Sequence, residues 1–272
     1  MKIRFNKTTL VSAFAACTIS FSSCTDLSET LYSEIAAEEY EFTDRDYQAM
    51  FAPVYSSLRD MYWGWYSMAD IMDQSSDVWC IPYRIGIGWG DLYVSLHKHE
   101  FHSQIAHFDV AWNRAYSGIN SCNKLLDDPK IQEDEKTSSQ LRAYRAMYYY
   151  LLFDLFRNVP LDTQFAHEEG WLPEQASTQE MWDFLISELN DIKGKCGNDN
   201  IMGKINNYAV NMMLAKLYLN HNAYFRGANE LSYDDSDKSW YGKCIDELNE
   251  IINSGLYNLN PKDNEVLATM AY

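Results

Sequence analysis

The sequence is short of positive charge: 22 of its 272 residues are Lys or Arg against 39 Asp or Glu, a formal net charge of −17. A surface this acidic repels phosphate backbones and anionic lipid headgroups, which excludes nucleic acid as a partner. Long apolar runs are missing too. The most apolar stretch, residues 8–21, is shorter than the roughly 20 helical residues that cross a hydrocarbon core, so no permanent transmembrane helix is expected. Catalytic signatures are also lacking, with no Gly-x-Ser-x-Gly elbow, no phosphate-binding loop and no dinucleotide fingerprint. No catalytic residue, cofactor or metal is expected. Paired carboxylates of a glycosidase remain the enzyme alternative, because 39 acids offer many chance pairs.

What is present begins at the N-terminus. Lys2, Arg4 and Lys7 precede the apolar run, the order of a secretory signal peptide. Phe21-Ser22-Ser23-Cys24 then resembles a lipobox, with Phe21 where leucine is commoner. On this reading residues 1–23 are a lipoprotein signal, Cys24 is the acylated first residue, and 24–33 form a polar tether. Each buried methylene contributes about 0.8 kcal/mol, so several acyl chains hold a protein to a bilayer. The expected location is the outer membrane, facing outward. Loss of residues 1–23, with three basic residues and no acid, takes the net charge from −17 to −20. Cys80, Cys122, Cys196 and Cys244 could pair in three ways. Cys122 and Cys244 lie in helical apolar patterns, where a free thiol acts as a small hydrophobe.

Beyond the tether the spacing predicts an all-α body over 34–272, built as irregular tetratricopeptide-like helix pairs with an aromatic-rich interruption that holds at most short strands at 63–104. Thr43 opens the first helix, whose Met50, Phe51, Val54, Tyr55, Leu58 and Met61 share a face. Helices follow at 105–126, stopping near Pro129, and at 135–156, so rich in Tyr and Leu that it must be buried on most sides. Ser177 and Glu180 form a capping box for the next. Two more are expected at 206–222 and from Asp237 to Gly255, the last lined by Cys244, Ile245, Leu248, Ile251 and Ile252.

Three segments carry a resemblance: Trp112-Asn113-Arg114-Ala115-Tyr116-Ser117-Gly118-Ile119-Asn120 with Asn123; Leu141-Arg142-Ala143-Tyr144-Arg145-Ala146 running into Phe156-Arg157-Asn158-Val159-Pro160-Leu161; and Tyr241 through Ile252-Asn253-Ser254-Gly255-Leu256-Tyr257. In this order behind a lipobox they resemble the SusD/RagB family, although Arg157-Asn158 stands where members often have two glycines. The resemblance implies a helical surface lipoprotein that captures oligosaccharides, or peptides in one branch, for a SusC-like TonB-dependent β-barrel transporter. It also implies that this chain is the N-terminal part of a longer fold. A helical-repeat protein-interaction scaffold is the main competing reading.

Four of the eight tryptophans fall between Trp63 and Trp89. A sugar's C–H face stacks on an exposed ring while nearby carboxylates and amides bond its hydroxyls. Trp89 and Tyr83 are the first candidates for a ligand platform, followed by Trp63, Trp65, Trp79 and Asp91. His97-Lys98-His99-Glu100-Phe101-His102 invites a metal reading if it is a strand, but it is one residue short of the helical His-Glu-x-x-His pattern. Asp234, Asp235 and Asp237 lack the glycine and distal glutamate of a calcium loop, and Asp237 is expected to cap its helix.

Overall fold

A computed structural model describes residues 43–84, 90–201, 203–226 and 237–258. The lipobox with Cys24, the tether, Trp89, Asp234 and Asp235 lie outside the described residues. The described residues from 47 onward cluster as one unit.

The body is all-α, and among the described residues the one extended pairing is an isolated antiparallel bridge between Pro160 and Gln175. Ten helices run in order among the described residues: α1 (Asp44–Tyr62), α2 (Met68–Gln74), α3 (Asp91–His97), α4 (Ala106–Leu126), α5 (Pro129–Glu133), α6 (Glu135–Phe156), α7 (Thr178–Ile192), α8 (Asn207–Leu219), α9 (His221–Tyr224) and α10 (Ser239–Asn253). No helix among the described residues is long and apolar enough to cross a membrane. The pairs α4/α6, α6/α7 and α8/α10 carry the packing.

Helix α6 is the axis. Asp134 caps it, accepting from the Lys136 and Thr137 amides; these bonds, the Thr137 hydroxyl first, hold its carboxyl below the usual range. Tyr148, Tyr149, Leu152 and Phe153 are fully buried along its length, as the dense apolar pattern requires. Tyr148 donates to the Val54 carbonyl at 2.5 Å and Tyr149 to that of Asp162 at 2.6 Å, so both rings bury without orphaning a hydroxyl. Arg142 and Arg145, from the segment that carries the resemblance, turn out to be clamps. Arg142 grips Glu188 of α7 with two bonds of 3.0 and 2.6 Å, and Arg145 bonds Glu188 at 2.8 Å and Asn123 of α4 at 3.0 Å.

Helix α6 ends at Arg157, whose φ of +66° lies in the left-handed region. A side chain there costs roughly 1–2 kcal/mol, which a glycine would avoid. Here the guanidinium sits 4.6 Å over the Tyr224 ring and 5.4 Å over that of Phe153, contacts that offset the strain.

The structure adds to or departs from the sequence pattern in four places. Residues 63–104 hold no strand among the described residues, within the expectation, but they do hold two unforeseen helices, α2 and α3; at seven residues each, they repeat their pattern too few times for periodicity to register. Helix α4 stops at Leu126, short of Pro129 as expected, but Pro129 then opens an unforeseen short helix, α5, capped by Asp128 through the Lys130 amide at 2.9 Å. The expected 206–222 helix breaks at Asn220, whose amide side chain bonds the Lys216 carbonyl at 2.9 Å and competes with the backbone. Finally, Ile245 and Ile252 of α10 face solvent, 56% and 68% exposed, while Glu247 is buried at 7%. Glu247 is drawn in by Lys193 at 3.0 Å and Asn211 at 2.7 Å. The helix starts at Ser239, with Lys238 and not the expected Asp237 at the cap position; Asp237, one residue earlier, still accepts from the Ser239 amide at 3.0 Å.

Candidate functional site

The turn between α1 and α2 builds one wall of the site. Trp63-Gly64-Trp65-Tyr66 leaves α1 with φ of +137° at Gly64 and +60° at Tyr66. A side chain at position 64 would be strained. The turn leaves Trp63 80% and Trp65 72% exposed. Ser67 then caps α2 in a reciprocal box, its hydroxyl accepting from the Asp70 amide at 3.3 Å while the Asp70 carboxylate accepts from the Ser67 amide at 3.2 Å. That box aims Asp70, and Asp73 lies one turn later on the same side of α2.

The opposite wall comes from the segment after α2. Buried Gln74 accepts from the Ile81 amide at 2.8 Å, pinning that segment back against α2 and leaving Trp79 57% exposed. From α3, buried Tyr93 donates to Asp70 Oδ2 at 3.3 Å. Burial, then the neighbouring Asp70 charge, pushes the Tyr93 phenol up to about 12, so it stays a donor at any physiological pH. Together Trp63, Gly64, Trp65, Ser67, Ala69, Asp70, Asp73, Trp79, Ile81 and Tyr93 line a cleft of about 520 Å³, within the range that takes a small ligand.

Of the residues singled out from sequence, the fold brings Trp63, Trp65 and Trp79 together here. Tyr83 is 56% exposed but does not line the cleft. Asp91 does not line it either; it is exposed in the first turn of α3, where a carboxylate complements the helix dipole. Asp70, Asp73 and Tyr93 were not foreseen. Ser67-x-x-Asp70 reads as a capping box and could have placed Asp70 at a helix start, but nothing local pairs it with Tyr93.

The histidine-rich stretch is not a strand. His97 closes α3, and His99, with φ of +58°, meets the Ser75 carbonyl at 2.8 Å. Among the described residues no group of three or more His, Cys, Asp or Glu is arranged to hold a metal. Cys80 is exposed, and Cys122, Cys196 and Cys244 are buried; all four are free thiols.

Two other clefts have plainer linings. One of about 460 Å³ is lined by Tyr55, Leu58, Arg59, Tyr62, Gly203 and Lys204, with Arg59 already paired to Asp60 at 2.7 Å. The other, of about 310 Å³, includes Asn123, whose amide is satisfied by Asp162 and Gln164 carbonyls and by Arg145. Neither offers exposed indole rings.

No family model matches the sequence, and no curated protein matches it. Solved structures match in fold. A SusD superfamily protein from Parabacteroides distasonis is 21% identical at a TM-score of 0.64, over 81% of this chain and 47% of that one. A laminarin binding SusD-like protein is 24% identical at 0.57, over 68% and 42%. Surface glycan-binding protein A from Bacteroides thetaiotaomicron, in complex with laminarihexaose, is 19% identical at 0.60, over 83% and 46%. The chain therefore has the SusD-like fold and spans less than half the length of each of these solved chains.

Proposed function

We propose that this protein is a cell-surface lipoprotein of the SusD/RagB type that captures oligosaccharides without cleaving them, Trp63, Trp65 and Trp79 forming the stacking platform. The observation that carries this reading is the gathering of three exposed indoles with two carboxylates in one cleft of a SusD-like fold. Soluble proteins rarely leave such rings uncovered without a ligand or partner for them. Proteins of the same fold bind laminarin and laminarihexaose, which supports a glycan as the occupant. The lipobox supports an acyl anchor at Cys24 in the outer membrane, and the family resemblance supports hand-over to a SusC-like TonB-dependent barrel. Trp89, Tyr83 and Asp91 remain proposed members of the ligand-binding surface.

Calorimetry against a panel of oligosaccharides tests it. Trp63→Ala should weaken binding by about 1–3 kcal/mol, by analogy with stacking on other flat ligands. The unfolding midpoint should hold, because the ring is 80% exposed. Unchanged affinity for every bound sugar would remove Trp63 from the platform, and no binding to any sugar would overturn the reading. A protein-interaction scaffold is the second reading, favoured by exposed Ile245 and Ile252 on α10. It requires a protein partner lost on Ile245→Asp and no small ligand.

A further inference from the structure

The cleft carries charge of one sign. Its lining contains Asp70 and Asp73 and no lysine or arginine. Asp70, with 27% of its side chain exposed, is held by the Ser67 amide and the Tyr93 hydroxyl, both neutral donors that leave its full charge in place. Behind it lies His107, completely buried, its ring held edge-on between Tyr66 and Tyr93. Neither ring nitrogen has a hydrogen-bond partner, and Nε2 points at Asp70 Oδ2 from 3.9 Å. Burial lowers the pKa of this imidazole, with the Asp70 charge opposing. It is therefore neutral at pH 7 and supplies no counter-charge. Asp73 is exposed, and its carboxylate takes part in no ion pair or hydrogen bond among the described residues.

A neutral sugar would bond these carboxylates and leave both charges standing. A protonated amine would neutralise one, and it would also be attracted to the faces of the indoles beside it. The net charge of −17 adds a long-range pull of the same sign. We propose that the cleft selects an amino sugar with a free, protonated amine, a glucosamine-type unit, over its N-acetylated or hydroxyl counterpart. This rests on the glycan-binding reading above. Uronic-acid and sulfated glycans are disfavoured by the same charges.

The test is calorimetry of the full chain with a glucosamine hexamer, its fully N-acetylated form, a neutral glucose hexamer and a trilysine peptide, at low and high salt. The amine-bearing hexamer should bind about tenfold tighter than the other two sugars at low salt, with the advantage shrinking as salt screens exposed Asp73. Asp70→Asn and Asp73→Asn together should bring that ratio close to one, and Trp63→Ala should weaken all three sugars. Equal or tighter binding of the uncharged hexamers overturns the amine preference and leaves glycan capture standing. An amine preference that survives both Asp→Asn changes places the cation elsewhere and overturns the assignment. Trilysine bound as tightly as the amino sugar makes the cation peptidic and also overturns it. Failure of every sugar removes the glycan reading with it.

Discussion

Replacing Gly118 by Ala tests whether the α4/α6 contact is as close as the structure places it. A Cβ at this position would lie 2.1, 2.3 and 2.6 Å from Cζ, Cε2 and Oη of Tyr148, a ring that is fully buried and whose hydroxyl donates to Val54 across the core. The ring cannot swing aside into solvent, so the helices must separate or the phenol must give up its bond. Overpacking costs about 1–3 kcal/mol, and orphaning the buried hydroxyl costs about 1–3 more. Against this, alanine in place of a mid-helix glycine gains about 1 kcal/mol. The expected net loss is about 1–5 kcal/mol, a fall in Tm of roughly 2–20 °C for a domain of this size. Urea unfolding followed by tryptophan fluorescence and far-UV circular dichroism measures it. The Tyr148→Leu background supplies the control. There the new methyl meets no phenol ring, so the cost of Gly118→Ala should largely vanish and the double-mutant cycle should show coupling of about 2 kcal/mol. A Gly118→Ala protein as stable as the parent, or a cycle that is simply additive, would refute the close approach.

Glu188→Ala should destabilise by about 3–5 kcal/mol, because Arg145, with 9% of its side chain exposed, would be left buried without its carboxylate. Burial pushes the Glu188 carboxyl up, but the bonds from Arg142 and Arg145 outweigh it and hold the group below its ordinary 4.5. The stability Glu188 contributes is therefore complete above about pH 4.5 and lost as pH falls further; a parent whose stability is flat from pH 6 to 3 would contradict this. In the native protein a thiol reagent should label Cys80 rapidly, while Cys122 and Cys196, whose thiols burial pushes up to about 12 and about 11, should react only on unfolding. Fast native labelling of Cys122 would place α4 wrongly. Cys24→Ala should yield an unacylated chain, and mass spectrometry finding the parent's acyl mass on it would sink the lipobox reading.

Local chemistry was legible in the sequence where one segment carries its own instructions. The 135–156 helix and the Ser177/Glu180 box derive from spacing and from side chains that can reach only their own backbone. The apolar load of α6 foretold its burial, since that many rings have nowhere else to go. Two kinds of feature were not legible. Seven-residue helices such as α2 and α3 give too short a period to read. Lateral partnership is the other: Ile245 and Glu247 are both compatible with an inward face, and Lys193 and Asn211, distant in sequence, decide that the acid goes in. The site divides in the same way. Composition and clustering marked Trp63, Trp65 and Trp79 as candidates. Only the packing of α2 and α3 brings those rings to one cleft with Asp70, Asp73 and Tyr93 and leaves Asp91 outside it, because a ring's exposure and its neighbours are set by long-range contacts that no local pattern encodes.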